Sequence, residues 1–206
     1  MPTTPDSQKS KRVRLSRAER LRQLIDVSWD IIRQDGTDAL TLPNLALRAQ
    51  VAKPVVYDHF GTRNGLLARL YQDFDQRQTA RIDIALAGSG PTLRETARVI
   101  ATSYISCVFA QGQEIPGVLA ALAGSPELEA VRREYQRAFL AKCRTILSPF
   151  SPQQTIRPAA LWAMLGAADT LSAVAASGEI ALEEATGELS RLIMAIPDSS
   201  APGESL

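Results

Sequence analysis

The sequence predicts an all-α protein of about nine helices, arranged as a small N-terminal unit followed by a larger helical bundle. Three observations carry that reading. Apolar residues recur at spacings of three and four in nearly every long segment, and strict alternation over a strand length is missing. Capping residues stand at the starts of these segments and Gly or Pro at their ends. The composition, 45% hydrophobic, 22% charged and 5% aromatic over 206 residues, is that of a foldable chain able to bury a core without staples.

Residues 1–16 are polar, with Pro2, Pro5 and a cluster of Lys9, Lys11, Arg12 and Arg14, and read as a flexible basic arm. The first helix is expected over Arg17 to Asp35, with Leu21, Leu24, Ile25, Ser28 and Ile32 on one face, a Ser16/Glu19 capping box and Gly36 as its stop. Thr41 caps a short helix carrying Leu42, Leu45, Ala46 and Ala49, where Pro43 is tolerated in the first turn. A third helix, Lys53 to Phe60, starts with Pro54 in its first turn, turns Val51, Val56 and Phe60 inward and ends at Gly61. Thr62 then caps a longer helix to about Ala87, with Leu66, Leu67, Leu70, Tyr71 and Phe74 on its apolar side.

The stretch Gly88-Ser89-Gly90-Pro91 is the clearest linker and marks a seam in the helical packing. Thr92 and Glu95 open a helix to about Gln111, and Pro116 opens another that ends at Gly124. Ser125, Pro126 and Glu127 start a helix through Leu147, with Glu127 near the positive end of its dipole. Two last helices, about Arg157 to Ser177 and Ile180 to Ile196, are separated by Gly178 and followed by Pro197 and a polar tail, 198–206.

The formal net charge of +1 hides a gradient. Residues 1–63 carry 11 basic and 7 acidic side chains, net +4; residues 64–206 carry 12 and 15, net −3; residues 1–22 alone carry 7 and 2, net +5. Asymmetry of this kind points to a nucleic-acid or membrane contact at the basic end. Several classes are excluded. With His59 as the single histidine, a two-histidine metal site is impossible, and a Ser-His-Asp or Cys-His arrangement would have to use His59 as its base. No G-x-S-x-G, Walker loop or G-x-G-x-x-G is present, so no cofactor is expected. Cys107 and Cys143 lack a CxxC partner and suggest neither a disulfide framework nor zinc. The longest nearly apolar run, Pro158 to Ala168, is short of the roughly 18 residues of a membrane span. Without a signal-peptide pattern, a soluble cytoplasmic protein is expected.

Residues 41–60 hold two short helices joined by about three residues, the spacing of a helix-turn-helix. Spacing alone leaves two readings, a DNA reader and a plain packing motif. The residues themselves go further: Thr41-Leu-Pro-Asn-Leu-Ala46, then Val51-Ala-Lys-Pro-Val-Val-Tyr57-Asp-His-Phe60-Gly-Thr-Arg63-Asn-Gly-Leu66-Leu67. This segment resembles the DNA-binding domain of the tetracycline-repressor (TetR) family over about Arg17 to Phe74.

The resemblance implies an N-terminal helix-turn-helix domain, 17–75, a C-terminal helical ligand-binding and dimerisation domain, 76–197, and a set of DNA contacts. Thr41 would cap the second helix and touch a phosphate, Lys53 would meet the backbone, and Pro54 and Val55 would lie against bases, Val55 at a thymine methyl. Tyr57 and His59 would bind phosphate at the groove edge, and Thr62 and Arg63 would do so from the next helix. Two positions depart from the family pattern. Gln50 stands where glycine is common, so that either it takes a left-handed backbone or the turn is shaped differently, and Ala52 replaces a capping serine at a cost of about 1 kcal/mol. The basic arm reads equally as a minor-groove contact or as a solvated tail.

The resemblance also implies an apolar small-molecule cavity in the C-terminal helices, for which Tyr104, Cys107, Tyr135, Phe139 and Trp162 are the candidates. The stripes Leu161, Leu165, Ala168, Leu171, Val174 and Leu182, Ala185, Leu189, Leu192, Ile196 of the last two helices either pack within the chain or, as the resemblance implies, pair with the same helices of a second subunit in a homodimer. The expected function is a repressor that binds a palindromic double-stranded operator on the nucleoid and is released by a small apolar effector. The competing readings are a helical enzyme with an apolar substrate pocket and an architectural DNA-binding protein without a ligand.

Overall fold

The computed structural model describes residues 15–110, 114–152 and 155–197, and these are helical. Among them lie α1 (Arg17–Asp35), α2 (Leu42–Arg48), α3 (Lys53–Phe60), α4 (Arg63–Ala87), α5 (Leu93–Ala110), α6 (Glu114–Ala123), α7 (Pro126–Leu147), α8 (Pro158–Ala176) and α9 (Leu182–Ala195). The basic arm and the polar tail, residues 1–14 and 198–206, fall outside the described residues.

The start signals act as expected. Ser16 Oγ accepts from the Glu19 amide while the Glu19 carboxylate accepts from the Ser16 amide, and Thr41 and Thr62 accept from the amides of Asn44 and Gly65. Three elements differ from expectation. Helix α6 begins at Glu114, which still leaves Pro116 within the first turn, where its missing N–H costs nothing. Short 3₁₀ turns at Thr37–Ala39 and Ser148–Phe150 stand where loops were expected.

Two cores share this framework. The first gathers Leu24, Trp29, Ile32, Leu45, Val56, Phe60, Leu66 and Leu70 from α1 to α4, and it extends upward to Val118 and Leu122 of α6 and Leu128 of α7. The second joins Ile82 near the end of α4 to Ile105, Phe139, Cys143, Leu161, Leu165, Leu189 and Ile193. Helix α4 is therefore common to both.

Asp73 bolts α1 to α4. Its carboxylate accepts from Arg22 at 2.6 Å, from Arg77 at 2.8 Å and from Trp29 Nε1 at 3.0 Å, and Arg77 lies over the Trp29 ring. Three donors on one largely buried carboxylate saturate it, so the charge is compensated where water is scarce.

The apolar stripes of α8 and α9 need correction. Leu161, Leu165 and Ala168, and likewise Ala185, Leu189 and Ile196, are buried inside this chain. The faces left outward hold Ala159, Trp162, Ala163, Gly166 and Ala173 on α8 and Leu192 and Ala195 on α9. The apolar stretch also runs past Asp169, so that Pro158–Ala176 is long and apolar enough to cross a membrane by length and composition. Its inner face is part of the second core, and Asp169 is tied to Tyr104 by a 2.6 Å hydrogen bond.

Candidate nucleic-acid interface and internal cavity

Helices α2 and α3 form the helix-turn-helix around the turn 49–52. Gln50 has φ 53°, alone among the described non-glycine residues in taking positive φ, as its place in the turn demands. The amide of Val51 closes the turn onto the Ala46 carbonyl at 3.0 Å. Ala52 caps α3 without a side-chain hydrogen bond; the helix begins with Lys53 and with Pro54, which has no N–H, and the Val55 amide donates to the Ala52 carbonyl at 3.0 Å.

Val56 and Phe60 anchor α3 in the first core, which turns the opposite face outward. That face carries Lys53, Pro54, Tyr57 and Asp58 exposed, with Val55 and His59 half-buried. Gly61 stops the helix with φ 67°, and Gly65 lets α4 approach closely: a Cβ there would lie 2.1 Å from the Phe60 carbonyl oxygen. The α3–α4 corner is thereby set by backbone contact, and Thr62 emerges beside it. Thr41 and Thr62 both accept an amide hydrogen bond through Oγ1, which leaves each hydroxyl proton to donate outward.

His59 is held below its ordinary pKa, first by burial and then by the nearby Arg17 charge. Arg63 has a role that sequence reasoning missed. Its Nε donates to the Leu40 carbonyl at 3.0 Å and its Nη2 to the Thr37 carbonyl at 2.9 Å, so the side chain fastens the α1–α2 connection rather than reaching freely outward. A partner 23 residues upstream leaves no local trace in the sequence.

Residues 24–70 match the family model for bacterial regulatory proteins of the tetR family. Over those residues the chain is similar to the tetR family of bacterial regulatory proteins. The matched residues take in most of α1, all of α2 and α3 and the first turns of α4, so the outward face of α3 lies within the stretch similar to that family. The fold of the whole chain agrees. A TetR-family regulator from Rhodococcus sp. superimposes with a TM-score of 0.73 at 19% identity, covering 87% of this chain and 99% of that one. A Streptomyces coelicolor TetR-family regulator does so with a TM-score of 0.66 at 18% identity, over 90% and 97%. The fatty acid degradation regulator FadR of Bacillus halodurans gives 0.66 at 16%, over 84% and 93%. No curated protein matches the chain in sequence.

In the C-terminal part of the chain, α4, α5, α7 and α8, with Leu119 of α6, border a cavity with about 30 Å³ of free volume. Tyr104 and Phe139 line it, their ring centroids 5.5 Å apart. The other candidates sit elsewhere. Tyr135 lies one layer away, edge-on to Tyr71 at 5.7 Å. Cys107 is buried in the first core, and Trp162 is 43% exposed on the outer side of α8, beside Arg144 and Pro158. Burial pushes both thiols up, Cys143 to about 12, which leaves them protonated and unreactive at neutral pH.

Nor is the cavity simply apolar. Asp75 and Gln78 of α4, Arg132 and Gln136 of α7 and Asp169 of α8 enter its wall. Burial raises the Asp75 carboxyl to about 6, against the opposing pull of Lys142. These residues were missed because polar side chains within an amphipathic helix read as its solvated face.

Proposed function

We propose that the protein is a homodimeric repressor, held on a palindromic operator by two recognition helices and released when a small molecule occupies the cavity between α4, α5, α7 and α8. The observation that carries this reading is the continuity of α4. One helix of 25 residues, about 37 Å long, starts at the recognition-helix corner and runs through the cavity wall before it ends at Ala87. Its first turns belong to the first core through Leu66 and Leu67, while Asp75 and Gln78 face the cavity. A ligand that moves the wall therefore moves the reader, and it favours whichever dimer geometry it binds better. Helix α6 is a second contact between the halves, since Gly117 lies so close to Thr37 that a Cβ would sit 2.3 Å from its hydroxyl.

The outward apolar faces of α8 and α9 supply the dimer contact. Two such helices from each subunit make a four-helix bundle, and a two-fold axis through it places the recognition helices about 34–36 Å apart on successive major grooves. On the DNA, Lys53, Tyr57, His59, Thr41 and Thr62 hold phosphates, Pro54 and Val55 meet base edges, and Arg63 keeps only its remaining N–H groups for a phosphate. This reading places the protein in the cytoplasm, on the nucleoid when bound.

Protection mapping on the DNA flanking its own gene tests the reading. A protected palindrome is expected; binding without preference over competitor DNA would instead indicate an architectural protein. Lys53→Ala should weaken binding to all sequences and flatten the salt dependence of log K by about 1, while Val55→Ala should chiefly change base preference. Equal losses on specific and random DNA from Val55→Ala would remove that residue from base reading.

A further inference from the structure

The cavity holds an unusual polar inventory for a site of about 30 Å³. Gln78 is 4% exposed, yet its Nε2 has no hydrogen-bond partner, and neither does the buried Nε of Arg132. Buried donors are ordinarily satisfied, so two orphans on one cavity wall point to an acceptor that occupies it. The acidic side is equally incomplete. Asp169 is engaged by the Tyr104 hydroxyl at 2.6 Å and by Arg132 Nη2 at 3.7 Å, but no described residue donates a hydrogen bond to Asp75. Lys142, the basic group that acts on Asp75, is paired with Asp83 at 2.5 Å. Within the wall, two carboxylates face one guanidinium, and Arg132 also leans on Glu129 at 3.6 Å. Aromatic rings of Tyr71, Phe74, Tyr104 and Phe139 complete the enclosure.

We propose that the cavity takes a small cationic amine with an apolar or aromatic body and an oxygen acceptor, the ammonium group set against Asp75 and the oxygen bound by Gln78 Nε2 and Arg132 Nε. The proposal rests on the reading of the cavity as the effector site and names the class of effector. A cation neutralises the excess carboxylate and gains from the aromatic faces around it, and a ligand oxygen satisfies donors that nothing in the chain satisfies. The free volume of about 30 Å³ admits only water, so the wall must open as the ligand enters, and α4 is part of that wall.

Isothermal titration calorimetry on the full chain tests this with matched probes: 4-(aminomethyl)benzamide, its neutral 4-(hydroxymethyl) analogue, 4-carbamoylbenzoate and decanoate. The amine is expected to bind at least tenfold more tightly than the alcohol, with the two anions weaker still. Asp75→Asn should erase the preference for amine over alcohol, and Gln78→Leu should weaken both about tenfold. Tighter binding of either anion, an amine preference that survives Asp75→Asn, or no binding of the amine at millimolar concentration would overturn the proposal. Operator binding is followed separately. Asp75-dependent amine binding that leaves DNA affinity unchanged supports the site and refutes the effector reading; DNA release by decanoate alone does the reverse.

Discussion

Two carboxylates two residues apart on α4 live in opposite polar surroundings. Asp73 faces α1 and is saturated by Arg22, Arg77 and Trp29, whereas Asp75 faces the cavity with no hydrogen-bond donor among the described residues. Positions i and i+2 of a helix point to different sides, so one helix can serve as a strut on one face and as a site on another. Gln78, one turn on from Asp75, extends the unsatisfied side. The difference separates polar groups that hold the fold from polar groups kept waiting. The first kind has all its partners within the chain, and the second kind carries a desolvation penalty that no group of the chain offsets.

The largest expected effect tests the saturated side. Asp73→Ala leaves the Trp29 N–H without its acceptor and removes one carboxylate partner each from Arg22 and Arg77, and should destabilise the protein by about 2 kcal/mol in urea unfolding, below a fully buried pair because Arg22 is half exposed and keeps Asp26. Gln78→Leu, which removes an orphaned donor, should change stability by under about 0.5 kcal/mol. Equal losses from the two would erase the distinction between strut and site.

A pH effect comes next. The folded-state pKa of Asp75 is raised to about 6 from 3.8, so the folded protein holds a proton that the unfolded chain has released between those values. Stability from this group therefore rises as pH falls from about 6 toward 4 and is lost as pH climbs back through 6. Urea midpoints across that window should slope more in the wild type than in Asp75→Asn, and identical slopes would place Asp75 in water. His59 acts with the opposite sign, because its pKa is lowered in the folded state and its contribution is lost as pH drops below about 6.5. The smallest effect lies in the reader. Gln50→Gly relieves a left-handed residue but loosens the unfolded chain, a net gain of about 0.5 kcal/mol that a thermal melt would register as a small rise. A fall in Tm would mean that the Gln50 side chain contributes contacts outweighing its backbone strain.

The reader was more legible than the cavity, for a physical reason. Ser16, Thr41 and Thr62 each act on an amide three residues along the chain, so their roles are visible in a short window. The left-handed turn at Gln50 was legible for the same reason. Arg63 was not, since its carbonyl partners lie 23 and 26 residues away. Tyr104 and Phe139 were recognisable as apolar candidates, but Asp75, Gln78, Arg132 and Asp169 look like ordinary solvated positions until four helices bring them together. Trp162 illustrates the converse, an aromatic residue that reads as core and lies exposed on α8.

The amino-acid sequence by itself determined the helices, their caps and stops, the helix-turn-helix and the charge gradient, because each follows from residues within a turn or two of one another. Only the tertiary structure decided which face of α8 and α9 is spent inside the chain and which stays outward. It also decided that the cavity is polar, since the Tyr104–Asp169 bond that helps build it spans 65 residues. Periodicity places a residue on a face, and packing of whole helices then chooses what that face meets.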